Sequence, residues 1–284
     1  MPTPSTPSLA GRVALITGAN TGIGLATARE LARRGAQVFI ACRSAERAQP
    51  ALEQIRSASA DAQVEALARD LGDFASVRQC AAGFLERKLP LHLLINNAGL
   101  AGTRGFTASG FELAFGVNHM GHFLFTQLLL KRIKASAPAR IVTLASRAHI
   151  RTSGIDWEAV RQPTRTRTAI AEYAASKLAN VWFSAELGRR LAGTGVSTYS
   201  LHPGVVASDV WRSVPWPIRP LLKLRMIDTE EGARTTLYCA TAPEIAQESG
   251  LYYDKCKPRT PSTLGRDLSL AAELWRRSQA WVEG

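Results

Sequence analysis

The chain has 284 residues, 46% of them hydrophobic, and carries a formal net charge of +12 at pH 7. This length and apolar content fit one sizeable core in an α/β domain. The basic residues are scattered without an aromatic platform or a nucleic-acid motif, so we expect anionic small-molecule partners and no nucleic acid. The four cysteines form neither a CxxC pair nor a Cys/His cluster, which argues against disulfides and a zinc site.

The N-terminal segment and the apolar runs bear on the location of the protein. The segment from Met1 to Val13 has neither the basic nor the apolar region of a signal peptide. No run reaches the roughly 18 apolar residues that a membrane-spanning helix requires. We therefore expect a cytoplasmic protein without a transmembrane span, for which peripheral membrane contact stays open.

Short apolar runs alternate with helical patterns along the whole chain. This alternation predicts βαβ units in a single doubly wound Rossmann domain over residues 1–284, with helices flanking a parallel sheet of about seven strands. The predicted strands are 12–17, 37–42, 64–70, 91–96, 140–146, 196–202 and 251–253. The predicted helices are 23–34, 45–58, 74–85, 111–135, 171–191, 230–240 and 267–282.

Two segments interrupt this alternation. Residues 147–168 are polar and rich in Arg and Thr, which predicts a surface insertion. Residues 205–228 combine Trp211 and Trp216 with prolines and basic residues, a composition that predicts an irregular lobe over a pocket.

A glycine-rich turn follows the first predicted strand and precedes a helix. Its sequence is Thr17-Gly18-Ala19-Asn20-Thr21-Gly22-Ile23-Gly24. Gly18 permits a tight turn, Gly22 allows close approach of the backbone to a pyrophosphate, and Gly24 allows close packing of helix and strand. The N-terminus of the helix offers free N–H groups to phosphate. The turn therefore predicts a dinucleotide site, to which Asn20, Thr21 and Ile23 also contribute.

The end of the second strand indicates which dinucleotide is bound. An NAD site usually has an acidic residue there, which binds the ribose 2′-hydroxyl. The sequence instead reads Cys42-Arg43-Ser44, and the first acid is Glu46. Arg43 can pair with a 2′-phosphate, so the pattern favours NADP(H), although Arg43 could also be a solvated loop residue.

Further motifs follow the glycine turn in a fixed order. They are Asn96–Gly99 (NNAG), Asn118, Ser146, Tyr173-x-x-x-Lys177 and Pro203-Gly204. In this order the chain resembles the short-chain dehydrogenase/reductases over nearly its whole length. The strings IACR (40–43), GVNHMGHF (116–123), SKLAN (176–180) and LHPGVV (201–206) are closest in pattern to the retinol dehydrogenases.

The resemblance implies a catalytic set. Tyr173 would donate a proton to the substrate carbonyl oxygen during hydride transfer. Lys177, one helical turn later, would lower the pKa of Tyr173 together with the oxidised nicotinamide, and would reach the nicotinamide ribose. Ser146 would hydrogen-bond the substrate oxygen. Asn118 would hold a water molecule that links the lysine to solvent.

The resemblance also implies the remaining cofactor contacts. The adenine would lie by Asp70 and Leu71. The adenosine ribose would lie along Asn97 and Ala98, with Gly99 in the same turn. The nicotinamide would lie beside Pro203, Gly204 and Val206, with Ser208 in place of a threonine. Asn97 could instead cap its own turn. No metal is expected, because His119 and His122 share a helix without a carboxylate partner and are more typical of packing.

The implied activity is oxidation or reduction of a lipophilic alcohol, aldehyde or ketone, with retinal as one candidate. The alternatives are a broad-specificity carbonyl reductase without a retinoid role and a non-catalytic NADP(H)-binding sensor. The resemblance places 205–228 over the substrate opening as a lid. It also favours a homodimer through the two long helices, 111–135 and 171–191.

Overall fold

The structure of the protein is a computed structural model that describes residues 8–59, 61–204 and 228–284. The predicted lid, apart from Asp228, lies outside the described residues, as do Val206 and Ser208. Pro203 and Gly204 are described and follow directly on a strand of the sheet.

The described residues form one sheet of eight strands in the order β3-β2-β1-β4-β5-β6-β7-β8. Neighbouring strands are parallel except for β7 and β8. The short antiparallel strand β8 was not predicted, because two residues carry no periodic signal. The strands are β1 Val13–Thr17, β2 Gln37–Cys42, β3 Val64–Ala68, β4 Leu93–Asn96, β5 Ala139–Leu144, β6 Val196–His202, β7 Leu251–Asp254 and β8 Lys257–Pro258.

Helices connect the parallel strands on both faces of the sheet. Several begin at a residue whose side chain accepts a backbone N–H, as Ser44, Asp73 and Asp267 do. The helices are α1 Gly22–Arg33, α2 Ala45–Ala58, α3 Phe74–Glu86, α4 Leu113–Phe115, α5 Gly121–Ala135, α6 Ile170–Arg190, α7 Thr229–Thr241 and α8 Leu268–Glu283. None of the described helices is long and apolar enough to cross a membrane.

The sheet separates two hydrophobic cores. One face of β1 and β2, including Leu15 and Phe39, packs in a cluster with residues of α3, α5, α6 and α8. The other face, including Ile16 and Ile40, packs against α1, α2 and α7. All five residues of β1 are buried, as expected for a central parallel strand that is covered on both sides.

The strand order reverses at β1, whose neighbours are β2 and β4. In open parallel sheets, such a switch point leaves a crevice outside the carboxyl ends of the strands, where ligands bind. The glycine turn follows β1 and the NNAG turn follows β4, so both border this crevice. Ser146, shortly after β5, lies at the same edge.

The predicted helix 111–135 is interrupted by a π-helical turn at Gly116–Met120, in which the Gly121 N–H bonds to the Gly116 carbonyl five residues earlier. Gly121 lies against the Leu71 carbonyl, and a Cβ atom there would collide with it. The hydrophobic pattern continues through this turn, so it predicted one uninterrupted helix.

Part of the segment 147–168, which was predicted to be a surface insertion, is buried. His149, Ile155, Val160 and Thr164 are buried, and short 3₁₀ turns span Arg147–Arg151 and Ala159–Arg161. The arginines of the segment are all exposed and dominate its composition, whereas single residues between them pack inward.

The C-terminal helix α8 covers the two long helices that were expected to form a dimer interface. Trp275 of α8 stacks on Phe183 of α6, with ring centroids 6.1 Å apart, and contacts Phe123 of α5 at 5.1 Å. Ser278 of α8 is hydrogen-bonded to His119. A homodimer through these two helices stays a prediction.

Candidate active site

The glycine turn and the NNAG turn fit together without room for additional atoms. Gly18 and Gly22 have positive φ angles of +66° and +59°. A Cβ atom on Gly18 would lie 2.8 Å from the Ala98 Cβ, and one on Gly24 would lie 2.5 Å from the Asn97 Nδ2. Glycine is therefore required at Gly18 and Gly24 by the packing of two loops as well as by the turn itself.

The Asn97 side chain bonds to the glycine turn and does not cap its own turn, the alternative that the sequence left open. Its Nδ2 donates to the carbonyl oxygens of Thr17, at 2.8 Å, and Gly18, at 3.2 Å. The backbone N–H groups of Asn97 and Ala98 both donate to Thr17 Oγ1 at 2.9 Å. These bonds join the carboxyl ends of β1 and β4 and hold the glycine turn in place.

The beginning of α1 suits an anion. Among the described residues, Thr21 at the N-cap makes no side-chain capping bond, and the first turn contains no acidic residue. The first N–H groups of α1 and the positive end of its dipole therefore face the crevice without a competing carboxylate.

The end of β2 presents Arg43 to solvent, and the adjacent Ser44 accepts the Arg47 N–H at the start of α2. Shortly after the end of the neighbouring strand β3, the Asp70 carboxylate accepts the Gly72 N–H at 2.8 Å. The next residue, Leu71, is buried against Gly121. Arg43, Asp70 and Leu71 thus follow the ends of neighbouring strands β2 and β3 on the nucleotide side of the crevice.

Tyr173 and Lys177 lie one turn apart on α6 and are both buried. Lys177 Nζ donates to the Leu144 carbonyl at 2.8 Å and lies 5.7 Å from the centre of the Tyr173 ring. Asn180 Nδ2 donates to the same carbonyl at 3.0 Å. Burial lowers the pKa of Lys177 to about 7, so near neutral pH only part of the lysine is charged.

The pKa of Tyr173 in the chain alone is set by its surroundings. Burial raises the pKa of Tyr173 above its ordinary value, and a hydrogen bond with Ser146 opposes the rise without reversing it. The phenol is therefore protonated at neutral pH and can act as an acid. The lowering of this pKa by Lys177 together with the oxidised nicotinamide stays a prediction, because it concerns the protein with its cofactor bound.

Ser146 lies in a turn that several contacts fix. Its Oγ accepts the Ala148 N–H, and its carbonyl accepts both the His149 N–H, at 3.1 Å, and His149 Nδ1, at 2.6 Å. His149 Nε2 in turn accepts the Ser262 N–H at 3.3 Å. This pattern assigns the ring proton to Nδ1 and links the Ser146 turn to the C-terminal loop.

An ion pair holds the same turn from the other side. Arg147 donates from Nε to the Asp254 carboxylate at 2.8 Å, and its terminal nitrogen lies 2.6 Å from the same oxygen. Asp254 is buried at the end of β7, while Arg147 remains largely exposed. Sequence analysis missed both Asp254 and His149. The position of Asp254 at the carboxyl end of a strand was a usable signal, whereas His149 had none.

Asn118 lies in the π turn and is fully buried. Its Oδ1 accepts the Leu100 N–H at 2.9 Å, and its Nδ2 donates to the Leu100 carbonyl, at 3.0 Å, and to Ser176 Oγ, at 2.9 Å. Gly99 of the NNAG turn lies beside both Asn118 and Lys177, since a Cβ atom on it would be 3.2 Å from Asn118 Oδ1 and 3.5 Å from Lys177 Nζ. The side-chain amide thus joins the NNAG turn to α6, the helix of Tyr173 and Lys177.

The structure therefore brings most of the predicted residues to one edge of the sheet. The glycine turn, the NNAG turn, Asn118, Ser146, Tyr173 and Lys177 are connected to one another by hydrogen bonds or direct contacts. Pro203 and Gly204 continue from β6 at the same edge, and Gly204 has a φ of +94°.

Known proteins are similar to this chain in sequence and in fold. A family model described as short chain dehydrogenase matches residues 12–216. Retinol dehydrogenase 12 of Mus musculus is 46% identical over 275 residues, which are 94% of this chain and 85% of that protein. A crystal structure of an uncharacterised protein from Mycobacterium paratuberculosis has a TM-score of 0.79 and 34% identity, and the match covers 98% of this chain and 96% of that one.

A second solved structure was determined with a nucleotide. The Pseudomonas aeruginosa RhlG/NADP active-site complex has a TM-score of 0.69 and 29% identity, over 86% of this chain and 94% of that chain. The family model and the 46% identity agree with the fold and with the motif order. The chain is therefore a member of the short-chain dehydrogenase/reductase family, similar to the retinol dehydrogenases, and is an oxidoreductase that acts on CH–OH and C=O groups.

Proposed function

We propose that this protein is an NADP(H)-dependent reductase of lipophilic aldehydes and ketones, with Tyr173 as the proton donor. The observation that carries the proposal is the placement of buried Tyr173 and Lys177 one turn apart on α6, with Lys177 Nζ 5.7 Å from the centre of the Tyr173 ring, at the edge of the sheet that also holds Ser146 and the glycine turn. A non-catalytic sensor would need the nucleotide crevice but not this second group of side chains.

The residues around the crevice fit a dinucleotide phosphate. The glycine turn leaves no space for side chains between β1, α1 and β4, and the uncapped start of α1 offers N–H donors to a pyrophosphate. Exposed Arg43 at the end of β2 would pair with a 2′-phosphate, where an acid would repel it. We assign the adenine to Asp70 and Leu71. We assign the adenosine ribose side to Asn97, Ala98 and Gly99. The residues that we assign to the nicotinamide side are Lys177, Pro203, Gly204, Val206 and Ser208. The bound nicotinamide supplies the hydride in the reductive direction.

The chain itself supplies the proton and the stabilisation of charge. Tyr173 is protonated at neutral pH because burial raises its pKa, and its hydroxyl is available to the substrate oxygen. Ser146 would donate a second hydrogen bond to the same oxygen as negative charge develops there. Lys177 would assist when charged by stabilising the tyrosinate that remains after proton transfer.

The substrate class rests on the comparison with retinol dehydrogenase 12, whose name specifies a lipophilic polyene alcohol. Absorbance of NADPH, followed with retinal, a long-chain aldehyde, a small aldehyde and a ketone, tests the proposal. Consumption with the long apolar aldehydes at lower KM than with the small one supports it. Equal KM values would favour the broad carbonyl reductase, and NADPH binding without consumption of any carbonyl would favour the sensor.

A further inference from the structure

His122 occupies an enclosed position between the two sides of the site. It lies in the first turn of α5, directly after the π turn of Asn118, and is 1% exposed. Burial lowers the pKa of His122 well below its ordinary value, so the imidazole is neutral. A neutral imidazole has one donor nitrogen and one acceptor nitrogen, so its two partners must be of opposite kinds.

The partners of His122 meet this requirement. His122 Nδ1 lies 3.0 Å from the Asn118 carbonyl oxygen, which can only accept, so Nδ1 carries the proton. His122 Nε2 lies 2.9 Å from Thr17 Oγ1. Since Thr17 Oγ1 already accepts the N–H groups of Asn97 and Ala98, its own proton is available to Nε2. The alternative acceptor, the Ile95 carbonyl, is farther away at 3.4 Å.

We propose that His122 is a positioning residue that couples the nucleotide side of the site to Asn118. Thr17 is the centre of the bonds that hold the glycine turn and the NNAG turn together, and Asn118 joins the NNAG turn to the helix of Tyr173 and Lys177. The His122 ring spans these two groups and orients the Thr17 hydroxyl toward itself. The inference rests on the proposed function in assigning these groups to cofactor binding and catalysis.

The same helix segment supplies a matched control. His119 is also 1% exposed, and burial lowers its pKa to about 3. Its Nε2 is bonded to Ser278 of α8, and its ring packs among Phe115, Phe123 and Phe183. It also interacts with Asn180, which shares the Leu144 carbonyl with Lys177, but it has no hydrogen bond to Thr17 or to the glycine and NNAG turns. A His119→Asn variant therefore carries the general cost of replacing a buried imidazole in this helix.

Two substitutions at His122 separate its two bonds. In His122→Asn, the amide nitrogen can replace Nδ1 toward the Asn118 carbonyl but cannot reach Thr17. In His122→Gln, the amide oxygen can replace Nε2 toward Thr17, while the donor to Asn118 is lost. We expect His122→Asn to raise the Kd for NADPH about three- to ten-fold with little change in kcat, the size of one lost hydrogen bond. We expect His122→Gln to lower kcat by about the same factor with little change in Kd.

Hydrogen exchange tests the coupling without turnover. The amides of Asn97 and Ala98 should exchange faster in His122→Asn than in His119→Asn, because the Thr17 hydroxyl loses the acceptor that orients it. If His122→Asn does not fold, His122→Gln supplies the second test, because it keeps an acceptor for the Thr17 hydroxyl: its Asn97 and Ala98 exchange should match that of wild type while its kcat falls.

Two results would overturn the inference. One is a His122→Asn protein whose NADPH Kd and Asn97–Ala98 exchange match those of His119→Asn, or a His122→Gln protein whose kcat matches that of wild type. The other is a His119→Asn protein that loses as much NADPH affinity as His122→Asn. An inactive wild-type protein that nevertheless shows the exchange difference would instead count against the proposed function alone.

Discussion

The nucleotide side and the catalytic side of the crevice are built differently. On the nucleotide side, the glycine turn and the start of α1 present backbone groups, and the side chains involved, such as Thr17 and Asn97, bind other protein groups. On the catalytic side, Ser146 follows β5 whereas Tyr173 and Lys177 lie on α6, and burial shifts the pKa of both Tyr173 and Lys177. We therefore expect backbone geometry to determine binding on the first side and desolvated side chains to determine chemistry on the second.

This difference predicts that the two sides can be impaired separately. Tyr173→Phe removes one hydroxyl and leaves the ring packed, so turnover should fall at least about 100-fold while the Kd for NADPH stays within about two-fold of wild type. Steady-state kinetics and fluorescence titration with NADPH measure the two quantities. More than about a tenth of wild-type activity in the variant would exclude Tyr173 as the proton donor.

The opposite separation is expected at Arg43. Arg43→Asp replaces attraction for a 2′-phosphate by repulsion, so the preference for NADPH over NADH should fall by about ten-fold or more, with kcat at saturating cofactor nearly retained. Arg47→Asp is the control, because Arg47 is also exposed and lies four residues later, in the first turn of α2. An equal change of preference in both variants would mean that net charge, and not a specific contact of Arg43, favours NADPH.

We expect Lys177 to lower the free energy of unfolding of the cofactor-free protein, although the proposed mechanism needs it for catalysis. Its pKa is about 7 in the folded chain against an ordinary value of 10.5, so between these values the unfolded chain binds the proton and the folded chain does not. Stability therefore rises with pH across this window, and below pH 7 the folded state bears the full cost of a buried charge. Lys177→Met should abolish turnover yet raise the Tm by several degrees at pH 6, and by less at pH 9.

Thermal unfolding of the cofactor-free proteins at both pH values measures this effect. Met retains the apolar stem, and Asn180 still bonds to the Leu144 carbonyl, so few other contacts change. A difference in Tm between wild type and Lys177→Met that does not vary with pH would show that burial does not lower the pKa of Lys177.

The smallest expected effect concerns the turn that carries Ser146. Asp254→Asn keeps the shape of the side chain but loses the charge that binds Arg147, which is 58% exposed. Because solvent weakens a pair of this kind, we expect kcat to fall only about two- to five-fold, with NADPH affinity unchanged. Glu231→Gln, which breaks the exposed pair with Arg234 on α7, is the control and should leave kcat unchanged.

The two sides also differ in how far their sequences predicted them. The glycine turn and the strands around it were predicted at nearly their final bounds, because turn glycines and apolar runs are local signals. The residues that fix the catalytic side were not, because His149 and Asp254 act through partners more than 100 positions away in the sequence. The π turn was also missed, since packing of Gly121 on Leu71 is a long-range contact.

The resemblance to a family compensated for part of this gap. It identified one set of residues that are far apart in the sequence, namely Asn118, Ser146, Tyr173 and Lys177. The structure places them at one edge of the sheet, linked by hydrogen bonds and contacts. The resemblance could not give the direction of the Tyr173 pKa shift, which depends on burial within this chain. Nor could it show that α8 lies across α5 and α6, because the apolar face of α8 does not specify its partner.

Isotope transfer from the cofactor tests the central claim most directly. The protein is incubated with retinal or a long-chain aldehyde and with NADPH carrying deuterium at the transferable position of the nicotinamide, and the alcohol is analysed by mass spectrometry. We predict one deuterium on the carbinol carbon, little product from deuterated NADH at the same concentration, and little from Tyr173→Phe with either cofactor. An alcohol without deuterium, or faster product formation from NADH than from NADPH, would contradict the account.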